Sequence, residues 1–331
     1  LGLFELIYYL GYRLDRKRGL RRRRRLPASV ISVGNITAGG TGKTSLAMSL
    51  AMRAGGASLW PAVLTRGYGG RLEGPLAVTP WMSEREAGDE ALLMASKLFG
   101  VPVIKCADRY VGGLYALATI EPKPDIFILD DGFQHWRLYR DLDILVVSAS
   151  RPYGSDRPKL LPIGRLREPL KELERADIIV ASKCRAVPEE LEREMRKYNV
   201  SAPVFPAWYE VASVCDLRTG ERRPAQWISG REVFAFCGIG EPASFRQSLI
   251  EAGAVIKGFR AFRDHHRFGS RELGEIRRRA GSAWIVTTEK DIMRVAEAER
   301  DFPASALEVE MQLPDEFYGE VFRRAVSGEA S

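Results

Sequence analysis

Ser29 to Ser45, SVISVGNITAGGTGKTS, is the stretch that decides the fold. An apolar, β-branched run (Val30, Ile31, Val33) enters a glycine-rich turn (Gly34, Gly39, Gly40, Gly42), and Lys43, Thr44 and Ser45 open an alanine- and leucine-containing helix. Strand, glycine loop and helix, in that order, are the context of a phosphate-binding P-loop. Glycines let backbone N–H groups turn inward toward phosphate oxygens, Lys43 reaches the β/γ-phosphates, and the Thr44 hydroxyl suits Mg²⁺. The helix N-terminus adds partial positive charge. The strict pattern G-x-x-x-x-G-K-[ST] asks for glycine at position 37, where this chain has Thr37. A glycine-rich turn with an accidental GKT is the plain alternative. The preceding strand and four glycines favour nucleoside triphosphate binding through Gly39, Gly40, Thr41, Gly42, Lys43, Thr44 and Ser45.

Downstream, short apolar runs alternate with helical stretches. Strands are expected at 29–33, 62–65, 101–104, 126–129, 144–148 and 178–182, and helices at 44–54, 84–98, 110–120, 169–175 and 188–198. That alternation predicts an α/β fold: a P-loop NTPase-like parallel sheet sandwiched by helices over residues 26–208. Residues 209–229 read as a β-hairpin linker turning at Thr219 and Gly220. Residues 230–331 then read as a second, smaller α/β domain.

The chain has 331 residues, 45% of them hydrophobic, enough for two domains. Its net charge of +7 is carried by the N-terminal arm, because residues 1–25 hold nine basic and two acidic side chains. Leu3, Leu6, Ile7, Leu10 and Leu14 stand at helical spacing ahead of the arginines. The run is shorter than the ~20 apolar residues of a membrane-spanning helix. It predicts an amphipathic helix at an anionic membrane surface, with Arg16 to Arg25 facing headgroups. A helix packed on the protein's own core is the plain alternative. Nucleic acid is not expected as partner, since the rest of the chain is electrically balanced. Cys106, Cys184, Cys215 and Cys237 form no CxxC pair, so neither a zinc site nor a disulfide framework is expected. No secretory signal is expected either.

Ile126 to Asp131, IFILDD, is an apolar strand ending in two carboxylates, which behind a P-loop places aspartate beside the metal. All three histidines, His135, His265 and His266, fall in polar, acid-containing loops. Asp89 and Glu90 open a helix, where they complement its dipole or stand over the phosphate site. Arg66 and Arg71 flank a glycine loop that contains Tyr68.

VGNITAGGTGKTS, LTRGYGG, AGDEALLMA, DRYVGG, FILDDGFQH, LPIGRLREPL, FCGIGEPASF, DHHRF and TTEKD, in that order and spacing, resemble the tetraacyldisaccharide 4'-kinase family of lipid A biosynthesis. The resemblance runs from the first helix to about residue 295, and the arginine run at 21–25 is denser than the family leads one to expect. It implies transfer of the ATP γ-phosphate, with Mg²⁺, to the 4'-hydroxyl of an acylated glucosamine disaccharide 1-phosphate. The implied location is peripheral, at the cytoplasmic face of the bacterial inner membrane, and the implied state is a monomer. Carried over by residue, Lys43 acts on the phosphates, Thr44, Asp130 and Asp131 serve the metal, and Asp89 is the catalytic base with His265 as its partner. Arg66, Tyr68, Arg109, Gln134, His135, Arg167 and Glu168 are the implied substrate contacts. Two rivals meet contrary residues. A membrane-associated regulatory P-loop ATPase needs a lysine before the two glycines, where Ala38 stands; a GTPase needs [NT]-K-x-D, where Ser182-Lys183-Cys184-Arg185 stands.

Overall fold

The computed structural model describes residues 2–295, 299 and 301–327, which form two compact units. The first contains residues up to Trp208 together with the C-terminal segment from Met311; the second runs from Tyr209 to Glu310. Helix α1 (Leu3–Arg21) leads into β1 (Ser29–Gly34), α2 (Lys43–Ala54), β2 (Pro61–Thr65), β3 (Leu76–Val78), α3 (Glu84–Ala87) and α4 (Asp89–Lys97). Then come β4 (Val103–Lys105), α5 (Arg109–Thr119), β5 (Ile126–Asp130), β6 (Leu142–Ser148), β7 (Ile178–Ser182), α6 (Glu189–Arg196) and β8 (Val204–Asp216).

In the first unit the strand order is β3-β4-β2-β5-β1-β6-β7-β8, parallel except for the edge strand β3. Strands β2, β5, β6 and β7 are buried at every position and β1 at all but the first, as apolar runs covered on both faces require. The register sets Val33 of β1 beside Asp130 of β5, so the P-loop and the acidic pair leave the sheet at one edge. Ligands in open α/β sheets bind at these carboxyl ends.

The second unit continues from β8 through the short antiparallel partner β9 (Arg222–Pro224), closed by a turn in which Asp216 Oδ1 accepts from the N–H groups of Arg218 and Thr219. It then holds β10 (Glu232–Cys237), α7 (Pro242–Glu251), β11 (Val255–Ala261), α8 (Ser270–Ala280), β12 (Trp284–Thr288), α9 (Glu289–Ile292) and β13 (Ala304–Gln312). β11, β10, β12 and β13 pair in parallel in that order. The hairpin expected as a linker belongs to this second unit.

Two further differences have physical causes. The helix expected over 84–98 breaks at Gly88 (φ +92°), where a Cβ would lie 2.4 Å from the Tyr68 carbonyl oxygen, so α4 starts at Asp89. The closing helix α10 (Asp315–Ser327) belongs to the first unit rather than the second. It packs on β1 and α2, with the Ser49 and Tyr318 hydroxyls 2.6 Å apart and Phe317 edge-on to Phe205. Residues 328–331, part of the expected second domain, lie outside the described residues.

Helix α1, Leu3–Arg21, lies within the stretch 1–25 expected to hold an amphipathic basic helix. It turns Glu5, Tyr8, Tyr12 and Gly19 toward the protein: Glu5 is buried and accepts from the Leu160 N–H, and a Cβ on Gly19 would meet the Trp136 Cβ at 2.4 Å. Its apolar residues point outward, Leu3 71% and Phe4 63% exposed, with Leu6, Ile7, Leu10, Leu14 and Leu20 also exposed. The arginine run is partly committed to the protein. Arg24 pairs with Asp108, Arg25 with Asp141 at 2.6 Å, and Arg23 lies over the Tyr139 ring. A backbone bridge between Arg24 and Leu138 pins the segment there.

Gly34 ends β1 against Phe133, whose Cβ and backbone nitrogen would lie 2.4 and 2.6 Å from an added Cβ. Backbone cannot yield as a flexible side chain does. Gly34→Ala is therefore expected to destabilise the protein by about 1–3 kcal/mol, read as a lower urea midpoint with unchanged slope.

Candidate active site

The P-loop is built by backbone conformations that side chains disfavour. Gly39 (φ +135°) and Gly42 (φ +94°) make the turn, and added Cβ atoms at Gly39 and Gly40 would enter open space. Below the open face the loop is braced: the Asn35 amide donates to the Thr41 hydroxyl at 2.9 Å, and Ala38 N–H to the Arg165 carbonyl at 2.7 Å. Thr37, where the strict motif wants glycine, is buried and bridges Leu166. It braces the loop's entry, so a side chain is tolerated there.

The two acidic residues have separate partners. Asp130 is buried and accepts from the Thr44 hydroxyl at 3.3 Å and the Thr65 hydroxyl at 3.4 Å. Asp131 (φ +52°) accepts from Arg167 Nη1 with both oxygens, at 2.9 and 3.0 Å, and lies 3.5 Å from Lys43 Nζ. Burial raises the Asp131 carboxyl, but Lys43 and then Arg167 outweigh it and hold the group below the usual carboxylate range. The Thr44 hydroxyl and the Asp130 carboxylate are hard oxygen donors on adjoining elements, the set that Mg²⁺ takes when phosphate and water complete its shell.

Gln134, Arg167 and Glu168 form a clamp. The Gln134 amide donates to the Asn35 carbonyl at 2.7 Å and to Glu168 at 2.6 Å, while its oxygen accepts from Arg167 at 3.2 Å. Glu168 is 0% exposed and also accepts from Arg175, at 2.8 and 3.0 Å, and from the Tyr12 hydroxyl. Tyr8 donates to the Arg167 carbonyl at 3.0 Å. Glu168, expected as a substrate contact, is buried here and anchors Arg175 and α1. Burial pushes its carboxyl up to about 7 against the pull of Arg175.

Arg109 is buried, its charge opposed by Asp130 and Asp131 and crowded by Arg66. His135 is driven down to about 3, first by burial and then by Arg109, so it is neutral at physiological pH. Its buried Nε2 has no hydrogen-bond partner among the described residues. Asp89 is buried at the first turn of α4 and accepts its neighbour Glu90's N–H. The close fit of Gly88 on the Tyr68 carbonyl sets the start of α4 beside Gly67 and Tyr68, and α4 packs on α2, which carries Lys43. Tyr68 is 77% exposed.

In the second unit, Asp291 and Arg294 form a buried ion pair at 3.2 Å. Asp291 accepts from the Gly238 N–H and the Thr288 hydroxyl, and Arg294 donates to the Gly238 carbonyl. Arg294 also lies 3.2 Å from His265 Nδ1. Arginine has no acceptor, so Nδ1 accepts and the ring proton sits on Nε2. FCGIGEPASF, DHHRF and TTEKD therefore meet in one network that presents His265.

Lys183 entered the sequence reading only as part of a failed guanine motif. Its Nζ donates to the P-loop Gly40 carbonyl at 3.0 Å from a left-handed position (φ +68°) at the end of β7. No motif flags this residue; only the register of β7 reveals it. Burial, then Arg151, lower its ammonium to about 8. The folded protein thus binds fewer protons than the unfolded chain between pH 8 and lysine's ordinary ~10.4, and the cation bracing the P-loop is lost above pH 8. The ratio kcat/KM for ATP is expected to fall several-fold from pH 7.5 to 9 in the wild type and to stay flat in Lys183→Arg. An alkaline limb identical in both would refute this.

The family model for tetraacyldisaccharide-1-P 4'-kinase (LpxK) matches residues 1–326. The tetraacyldisaccharide 4'-kinase of Syntrophus aciditrophicus is 38% identical over 335 residues, covering 95% of this chain and 88% of the relative. That of Geobacter metallireducens is 39% identical over 306 residues, covering 89% and 88%. The crystal structure of LpxK from Aquifex aeolicus in complex with ATP superposes with a TM-score of 0.75 at 33% identity, covering 97% of each chain. Motifs, fold and relatives agree, and this chain belongs to the tetraacyldisaccharide 4'-kinase family.

Proposed function

We propose that the chain transfers the γ-phosphate of ATP to the 4'-hydroxyl of a tetraacylated glucosamine disaccharide 1-phosphate. The observation that carries this reading is the P-loop of a tetraacyldisaccharide 4'-kinase family member, with Lys43 beside Asp131 and Thr44 beside Asp130. Gly39 to Thr41 cradle the phosphates, and Lys43 leaves Asp131 for the transferred group. Thr44 and Asp130 would hold Mg²⁺, which would supply neutralisation of charge on the phosphate oxygens. Arg167 keeps Asp131 compensated once Lys43 has turned to phosphate.

Asp89 serves as the base. A sugar hydroxyl is a weak nucleophile until a carboxylate accepts its proton, and Asp89 is a buried carboxylate on a helix packed beside the P-loop helix. The family resemblance, and no contact described above, names His265, whose Nδ1 is engaged by Arg294, as the partner of this base. Arg66, Tyr68, Arg109 and His135 line the acceptor's approach. Asp89→Asn is expected to cut kcat by about 10²–10⁴-fold with little change in ATP affinity. Radiolabelled phosphate should appear on the acylated disaccharide with the wild type only. Release of free phosphate that is indifferent to acceptor would instead favour a regulatory ATPase.

Among the described residues no helix is long and apolar enough to cross a membrane. The exposed apolar residues of α1 support peripheral attachment at the cytoplasmic face of the inner membrane, with the uncommitted basic residues toward anionic headgroups. Leu6→Ser/Leu10→Ser is expected to lower cosedimentation with phosphatidylglycerol vesicles about tenfold or more, since each exposed leucine contributes roughly 1.5–3 kcal/mol on burial. Unchanged sedimentation would remove α1 as the anchor.

A further inference from the structure

Lys105, the last residue of β4, is only 4% exposed, and its Nζ donates to the Glu86 carbonyl at 2.9 Å. We propose that Lys105 is a positioning residue for the transfer: its stem and its ammonium fix the Arg66–Arg71 loop and the start of α4 as one body, and so set the backbone that carries Asp89. The proposal rests on the role of Asp89 as base and adds a residue that stands outside every family motif.

Two glycines of the loop are shaped to this side chain. A Cβ on Gly67 (φ +64°) would lie 2.4 Å from Lys105 Cδ and 2.6 Å from Cε, and one on Gly70 would lie 2.3 Å from Nζ and 2.5 Å from the Ala87 carbonyl carbon. Gly67 touches the other side of the joint as well, its carbonyl oxygen lying 3.2 Å from a Cβ on Gly88. Backbone bonds complete the joint. The Arg71 N–H donates to the Arg85 carbonyl at 2.7 Å and the Leu72 N–H to the Glu86 carbonyl at 3.2 Å. Glu86 belongs to α3, a single turn whose last carbonyls have no partner within the helix, and a lysine is a suitable donor to them. The ammonium therefore bonds a carbonyl that the loop already shares, three residues ahead of Asp89.

An apolar side chain would fill the same space at less cost. Among the described residues no carboxylate pairs with Lys105, and burial holds its ammonium below lysine's ordinary range. Burying a cation against a carbonyl alone is unfavourable. What the charge adds is a bond roughly twice as strong as a neutral one, at the point where loop and helix meet. The strand end it grows from is tied to the metal side of the site: Lys105 pairs with Thr65 in the sheet, and the Thr65 hydroxyl donates to Asp130. The base and the acidic strand end are thus referred to one frame.

Lys105→Met keeps an unbranched stem and removes the charge. With the acylated disaccharide 1-phosphate in detergent micelles, kcat should fall about tenfold to a hundredfold while KM for ATP stays within about twofold. Gly70→Ala attacks the same bond from the loop without emptying buried space. It should lower kcat in the same way, and it decides the matter if Lys105→Met does not fold. In an Asp89→Asn background the added substitution should change the residual kcat less than about twofold, because asparagine takes no proton wherever it is held. A lysine that served stability alone would lower kcat by the same factor in both backgrounds, and that result would overturn the proposal. So would a wild-type kcat, or a loss confined to KM for ATP. If Asp89→Asn itself turns over like the wild type, the reading of Asp89 as base fails. Lys105 is then judged by amide hydrogen exchange, which its substitution must speed at Arg71 and Leu72 and leave unchanged over residues 39–44; unchanged exchange at Arg71 and Leu72 would overturn the proposal.

Discussion

One carboxylate, that of Asp131, holds the phosphate site together. It stands just beyond β5 in a left-handed conformation that a non-glycine residue adopts only when its surroundings enforce it. Two cations do so: Arg167, bonded to both oxygens, and Lys43 of the P-loop. Three distant segments of sequence are thereby joined at one group. A polyphosphate bound at the P-loop as proposed would compete with Asp131 for the same charges. Binding would then exchange one set of ion pairs for another, with the cations already gathered.

Around this centre a buried layer of polar groups sets the loops. Glu168, Arg175 and Gln134 satisfy one another while bonding the Asn35 carbonyl, the Phe133 carbonyl and Arg167. Polar networks of this kind are costly when any member is left unmet, so they enforce a single arrangement. The second unit repeats the device with Asp291, Arg294, Thr288 and the Gly238 backbone, on which His265 is presented.

The alternation of apolar runs and helices made the parallel sheet legible, because buried strands must be continuous in apolar residues. Ser29 to Val33 and Ile178 to Ser182 were readable within a residue of their bounds. The short edge strand Leu76–Val78 was not, since an edge of three residues carries no periodic signal. Nor was the break at Gly88, which depends on the Tyr68 carbonyl, a contact absent from local sequence. Lys43, Thr44 and Asp130 were singled out because phosphate chemistry demands those residue types at that spacing, and the fold sets Thr44 beside Asp130 and Lys43 beside Asp131. The burial of Glu168 was not legible, because it is set by Arg175, Gln134 and Tyr12, contacts absent from local sequence. The placement of α10 on β1 was illegible, because amphipathic helices do not declare which sheet they cover.

Helix α1 has two unlike faces. Its tyrosines bond Arg167 and Glu168 of the site while its leucines face away from the protein. In the anchoring role proposed above, a helix wired in this way would be no interchangeable tether. Exchanging it for another apolar helix would leave the clamp beneath the P-loop without two of its hydroxyl donors. Pull or tilt at a lipid surface would then be delivered to the backbone of Arg167 and would link adsorption to turnover through nineteen residues.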